Sequence, residues 1–84
     1  MFSIYRSEEA VVPLAEAWEC ADEPLRAAIL RATYDIDRRL AEAPRRQGES
    51  RGGDVRILFR PPVAVFFEID EDRNLVRILR TWLY

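Results

Sequence analysis

The chain has 84 residues, of which 49% are hydrophobic and 33% charged, with a net charge of −2, the profile of one folded domain over residues 1–84 rather than a disordered tail. It has no histidine, one cysteine, and thirteen basic residues that are all arginine, which removes Ser-His and Cys-His nucleophile pairs, lysine Schiff bases and thiolate zinc sites. No apolar run reaches the ~18 residues of a membrane span, and the N-terminus lacks the basic-then-apolar order of a secretory signal, so the sequence predicts a cytoplasmic protein with no membrane contact and no cofactor.

Phe2 to Tyr5 suits a short first strand, and Ser7 followed by Glu8 and Glu9 suits a helix N-cap with carboxylates in the first turn. The spacing predicts a first helix to about Ala21, kinked or restarted at Pro13, with Val11, Leu14, Trp18 and Ala21 as its buried stripe. Cys20 cannot form an intrachain disulfide and reads as a small buried hydrophobe. Asp22 and Pro24 then cap a second helix, in which Leu25, Ile29, Ala32, Ile36 and Leu40 share the core face and Pro44 is the stop. Its opposite face offers the i,i+4 pairs Arg31 with Asp35 and Arg38 with Glu42.

Residues 44–53 hold all three glycines and read as a mobile loop. Residues 54–60 alternate Val55, Ile57 and Phe59 against Arg56, Leu58 and Arg60, a strand pattern that Pro61-Pro62 turns. Val63 to Asp70 is apolar on both faces, as in a central strand. After a turn at Glu71 to Asn74, Leu75 to Leu83 alternates Val76, Ile78, Arg80 and Trp82 against Leu75, Arg77, Leu79, Thr81 and Leu83. The acidic turn imitates a calcium loop only at its start, since Leu75 replaces the required glycine and Thr81 the bidentate glutamate.

Charge is unevenly placed. Residues 7–24 carry six acidic and no basic side chains, so this segment faces solvent or a basic partner; residues 44–60 carry five arginines against Glu49 and Asp54. Such a balance argues against broad phosphate contact and permits a focused one. Arg56 and Arg60, at alternating strand positions, share a sheet face and can grip a phosphate or acidic peptide bidentately. Pairing of these arginines, or of Arg45, Arg46, Arg51, Arg77 and Arg80, with Glu68 or Asp70 is equally open.

The element order, with Ile36-Asp37, Leu40, Pro44, Gly48-Glu49-Ser50-Arg51, Arg56 and Pro61-Pro62-Val63 as landmarks, resembles the RelE/ParE family of bacterial type II toxins over nearly the whole chain. That resemblance implies an α+β domain of βααβββ order, two helices on a mainly antiparallel twisted sheet. It implies the toxin of a toxin–antitoxin, or plasmid stabilization, system, causing growth arrest until a cognate antitoxin neutralises it. For a RelE-like ribonuclease cutting mRNA on the ribosome without a metal, Glu49 and Tyr84 would be the proton handlers and Arg56 and Arg80 the phosphate partners. Arg45, Arg46, Arg51 and Arg60 would bind the target. The chain departs from that pattern in having neither histidine nor lysine. A ParE-like inhibitor of DNA gyrase, which is not an enzyme, or a module that only binds a protein, needs none of those groups.

Overall fold

Three of the chain's strands are runs of branched and aromatic residues that pair only if one face is covered, and the two helices supply that cover. The computed structural model describes residues 1–84. The elements are β1 (Ser3–Arg6), α1 (Glu8–Cys20), α2 (Glu23–Glu42), a 3-10 turn (Pro44–Arg46), β2 (Glu49–Ser50), β3 (Val55–Arg60), β4 (Val63–Asp70) and β5 (Leu75–Leu83). They form one sheet of order β1-β5-β4-β3-β2, antiparallel except that β1 runs parallel to β5. The α+β arrangement of two helices on one face of a mixed sheet is the expected one. No helix is long and apolar enough to cross a membrane.

Both helices start where the sequence says. The Ser7 hydroxyl accepts from Ala10 N–H at 3.3 Å and donates to the Leu79 carbonyl at 2.9 Å, so one side chain caps α1 and ties it to β5. Asp22 accepts from Leu25 N–H at 2.9 Å, with Pro24 in the first turn of α2; each such cap is worth about 1 kcal/mol. Pro13 does not restart α1, which is assigned as helix from Glu8 to Cys20. It stands on the exposed side, and the hydrogen bond it cannot donate is lost where the helix faces solvent rather than in the core.

The core is a seam between α2 and β4. Ile29, Ala32, Ile36 and Leu40 pack over Val63, Val65, Phe67 and Ile69, with Leu58, Val76 and Ile78 from the flanking strands. Leu25 is exposed, because Ile29, one turn later, is the first residue of α2 to reach this core. Of the stripe expected for α1, Leu14 and Ala21 pack partly against the core, where the buried Ala10 joins them, whereas Val11 is 46% and Trp18 37% exposed. Two adjacent lines of α1 are apolar, and the one richer in small residues faces β5, its main contact. Cys20, expected to be buried, is exposed on the other side of that helix.

β5 also departs from simple alternation. Phe66 pairs with Arg80 but Phe67 with Ile78, so Leu79 is an extra residue, a β-bulge. Val76 and Ile78 face the helices before it, Thr81 and Leu83 after it, while Arg80 and Trp82 move to the open face. Residues 44–53, expected as a loop throughout, contain the 3-10 turn and β2, which pairs with β3 through Glu49↔Ile57 and Ser50↔Arg56.

Phe67, at 0% exposure in the middle of β4, touches the seam's centre. Phe67→Ala is expected to cost roughly 3–5 kcal/mol, read as a fall in the urea midpoint; Phe59→Ala, on the half-exposed face, is expected to cost well under half as much.

Candidate functional site

The connection from α2 to β3 is built around backbone carbonyls held by an arginine. Gly48 sits at φ +65°, and a Cβ there would lie 2.0 Å from the Ile57 carbonyl oxygen, so only glycine lets the chain pass this close to β3. Arg56 Nε donates to Gln47 O at 2.8 Å and its Nη2 to Gly48 O at 3.0 Å. Arg45 bridges Asp54, at 2.8 Å, and Glu71 across the β4–β5 turn. The Asp54 and then the Glu71 contact hold its guanidinium above the ordinary arginine range.

Arg60 reaches the helix layer. Its Nε donates to Asp35 at 3.0 Å and its Nη1 to Pro61 O at 2.8 Å. Asp35 also accepts from Arg38 at 2.7 Å and lies 3.0 Å from Arg39, so the expected Arg31–Asp35 pair gives way to a hub that joins α2 to the end of β3. The expected Arg38–Glu42 pair forms at 3.6 Å. The hydrogen bond from Arg38, then that from Arg60, draws the Asp35 carboxyl below the usual carboxylate range. Asp70 is lowered in the same way, by the Arg73 N–H first and the Arg77 guanidinium second. Arg77 spans Glu68 at 3.3 Å and Asp70 at 3.2 Å, the internal pairing that the sequence left open for the arginines near these acids.

The sheet's open face carries the remaining candidates. Residues paired directly across strands share a face, which places Glu49 beside Ile57 and puts Phe59, Ala64 and Trp82 in one row. Phe59 stands edge-on to Trp82 with ring centroids 6.3 Å apart and to Tyr84 at 5.4 Å. Tyr84 is 57% exposed and its N–H donates to Pro62 O at 3.1 Å. Glu49 meets Arg51 at 3.3 Å. Arg80 lies 3.5 Å from Glu9, and a groove of about 660 Å³ opens between the first turns of α1 and the end of β5, lined by Glu8, Glu9, Val12, Pro13, Arg80, Thr81 and Trp82. Arg46 is exposed and has no ion-pair partner among those the structure shows.

No hydrogen bond, ion pair or aromatic contact joins any two of Glu49, Arg56, Arg80 and Tyr84. Arg56, on the Leu58 side of β3, faces the helix layer; Glu49 and Tyr84 lie on the open face, Glu49 beside Ile57 and the Tyr84 ring against Phe59; Arg80 lies on β5. Asp35 and the α1–β5 groove were not among the sequence candidates. Asp35 is signalled by its i+3 and i+4 arginines, whereas the groove depends on the bulge and has no local signature. No group of three or more acidic or sulfur side chains is placed to hold a metal ion.

Because the folded Asp35 and Asp70 carboxyls sit below their unfolded value of about 3.9, their contribution to stability is present above that pH and lost as pH falls through the folded value. The urea midpoint is therefore expected to drop as pH falls below about 4, and Asp35→Asn to lower the midpoint at pH 7 and flatten that drop. Gly48→Ala is expected to unpair β2, seen as fast amide exchange at Glu49 and Ser50, with the core strands still protected.

Neither protein-family profiles nor curated protein sequences yield a match to this chain. Solved structures do. The chain is similar to a chain of the RelBE2 toxin–antitoxin complex of Mycobacterium tuberculosis, at 17% identity over 99% of this chain and 91% of that one, with a TM-score of 0.73. It is similar to a chain of the chromosomal ParDE system of P. aeruginosa, at 18% identity over 99% and 96%, TM-score 0.69. The isolated RelE toxin of E. coli matches at 13% identity over 99% and 84%, TM-score 0.64. The chain therefore has the fold shared by RelE and ParE systems, spread over its whole length, as the landmarks in its sequence imply.

Proposed function

We propose that this chain is the toxin of a type II toxin–antitoxin pair, and that it arrests growth until a small cognate antitoxin binds it. The observation that carries this is the match of 99% of the chain to folds from the RelBE2 and ParDE systems. Between the two modes of arrest, binding to a protein target of the gyrase type is the better supported. Arg45, Arg56 and Arg60 are committed to internal carboxylates and carbonyls, and a chain without histidine or lysine has few groups for proton transfer.

One observation favours the ribonuclease reading. Tyr84 stands on an aromatic row with Phe59 and Trp82, and Arg80, 69% exposed, is adjacent on the same strand. Bases stack on such a row and a guanidinium steadies a phosphate. In that reading Glu49 and Tyr84 move the protons, Arg80 steadies the phosphate, and Arg46 and Arg51 contact the RNA or ribosome; Arg45, Arg56 and Arg60 would first have to leave their internal partners to join Arg80 and the others.

The test is induction of the chain alone in a bacterial host, with growth, messenger integrity, translation and DNA supercoiling followed together. Growth is expected to stop with messenger intact and supercoiling altered, and Glu49→Gln and Tyr84→Phe are expected to leave the arrest unchanged. Cleaved messenger, slowed roughly 10² to 10⁴-fold by either substitution as for loss of a general acid or base, would reverse the choice of mechanism. Uninterrupted growth at full expression would sink the toxin reading.

A further inference from the structure

We propose that the outer face of the α1–α2 hairpin is a docking surface for a second copy of this chain, and that two copies pair through it about a two-fold axis into a layer of four helices. The inference goes beyond the toxin reading and does not depend on it.

Of the ten exposed large apolar side chains, six stand on the two helices, among them Leu30 at 49% and Tyr34 at 73% exposure. A helix lying on a sheet ordinarily turns polar residues outward, and apolar residues gathered on one outer face mark a contact surface. Val11, Ala15 and Trp18, at i, i+4 and i+7, make one apolar line, and Ala27, Leu30 and Tyr34, at i, i+3 and i+7, make another. Both lines flank the furrow between the helices. Arg26 Nε donates to Trp18 O at 2.8 Å, and its guanidinium carbon lies 5.5 Å from the Trp18 ring centroid, which turns the Trp18 line toward α2. The opposite side of α1, with Glu9 and Pro13, borders β5. On α2, Thr33 and Asp37 line the same internal space as Leu14 of α1, so Leu30, one turn before Thr33, stands on the α1 side.

Charge brackets this apolar middle with opposite signs. The α1 rim carries Glu8, Glu16 and Glu19, none of which takes part in an ion pair of the helices. The far rim, on α2, carries Arg31, also unpaired, and the largely exposed Arg38, whose partner Asp35 reaches away from α1 to Arg60 of β3. A face that runs acidic, apolar, basic is complementary to itself after half a turn: the acidic rim of one copy lies over the basic rim of the other, and the apolar middles meet. A partner of one charge alone would leave a rim unmatched. With 13 and 20 residues the helices are about 20 and 30 Å long, and a face roughly 20 Å wide buries about 500 Å² per copy, near the lower limit for a specific interface. The dimer is therefore a weak one, with a dissociation constant on the order of 10 to 100 μM. Its two open sheet faces, with Phe59, Trp82 and Tyr84, point outward on opposite sides.

The test is sedimentation velocity of the isolated chain from about 1 to 500 μM, at low salt and at roughly 0.5 M salt. A 9.8 kDa monomer is expected at the dilute end and a species of twice that mass at the concentrated end, with salt weakening the dimer. Leu30→Ser/Tyr34→Ser is expected to weaken it at least about tenfold while the circular dichroism of the folded chain is kept. Arg31→Glu is expected to weaken it by roughly threefold to tenfold, and Arg31→Glu combined with Glu16→Arg and Glu19→Arg to restore it, a rescue that a loss of folding would not give. A chain that stays monomeric over the whole range would overturn the proposal. So would a dimer that keeps its affinity in Leu30→Ser/Tyr34→Ser, or a charge reversal that the compensating pair does not rescue. None of these readouts involves growth, so failure here and failure of the toxin reading are told apart.

Discussion

One extra residue in β5 decides what the far end of the sheet shows to solvent. Without the bulge at Leu79, the alternation that puts Val76 and Ile78 under the helices would carry Arg80 and Trp82 in after them, and an arginine would have to be desolvated where the nearby acid, Asp37, is already paired with Arg6. With it, Thr81 takes the inward place, Trp82 joins Phe59 and Tyr84, and Arg80 stays at the rim. The aromatic row, the groove and the candidate phosphate partner all follow from that single shift in register.

The arginines are used chiefly as structure. Arg56 ties the loop carbonyls to β3, Arg60 fastens β3 to α2 through Asp35, and Arg45 and Arg77 hold the acidic β4–β5 turn. A guanidinium suits this work because it presents several donors in a fixed plane and keeps its charge at any physiological pH. The exposed pairs each add little, but the Asp35 hub and the Arg56 bonds hold segments distant in sequence. The sequence segment richest in arginine is thereby less available to a ligand than its composition implies, and the open positive charge is confined to Arg46, Arg80 and the outer face of α2.

The strands and the two helix starts are legible in the sequence because each rests on a local cause: β-branched and aromatic runs, Ser7 and Asp22 as caps, and Pro24 and Pro44 as boundaries. So is α2's core line, whose period leaves one apolar face. α1 is not, since Val11, Ala15 and Trp18 satisfy helical spacing as well as Ala10, Leu14 and Ala17 do, and only the closeness of β5 chooses between them. β2 escapes notice because its two residues are held by a glycine conformation and a distant arginine. The candidate site is legible as a list of residue types and not as an arrangement, because the bulge and the pairing of Arg56, Arg60 and Arg45 are tertiary events.

β1 and β5 are neighbours in space and nearly the whole chain apart in sequence, with Ser7 bonded to Leu79 across a separation of 72 residues. Closing so long a loop precedes any reward from the contact. During synthesis the two helices emerge before the strands that floor them, and β1 waits unpaired until the last strand is released. The sheet therefore has no complete form before β5 is made, and the groove between α1 and β5 is among the last features of the molecule to exist.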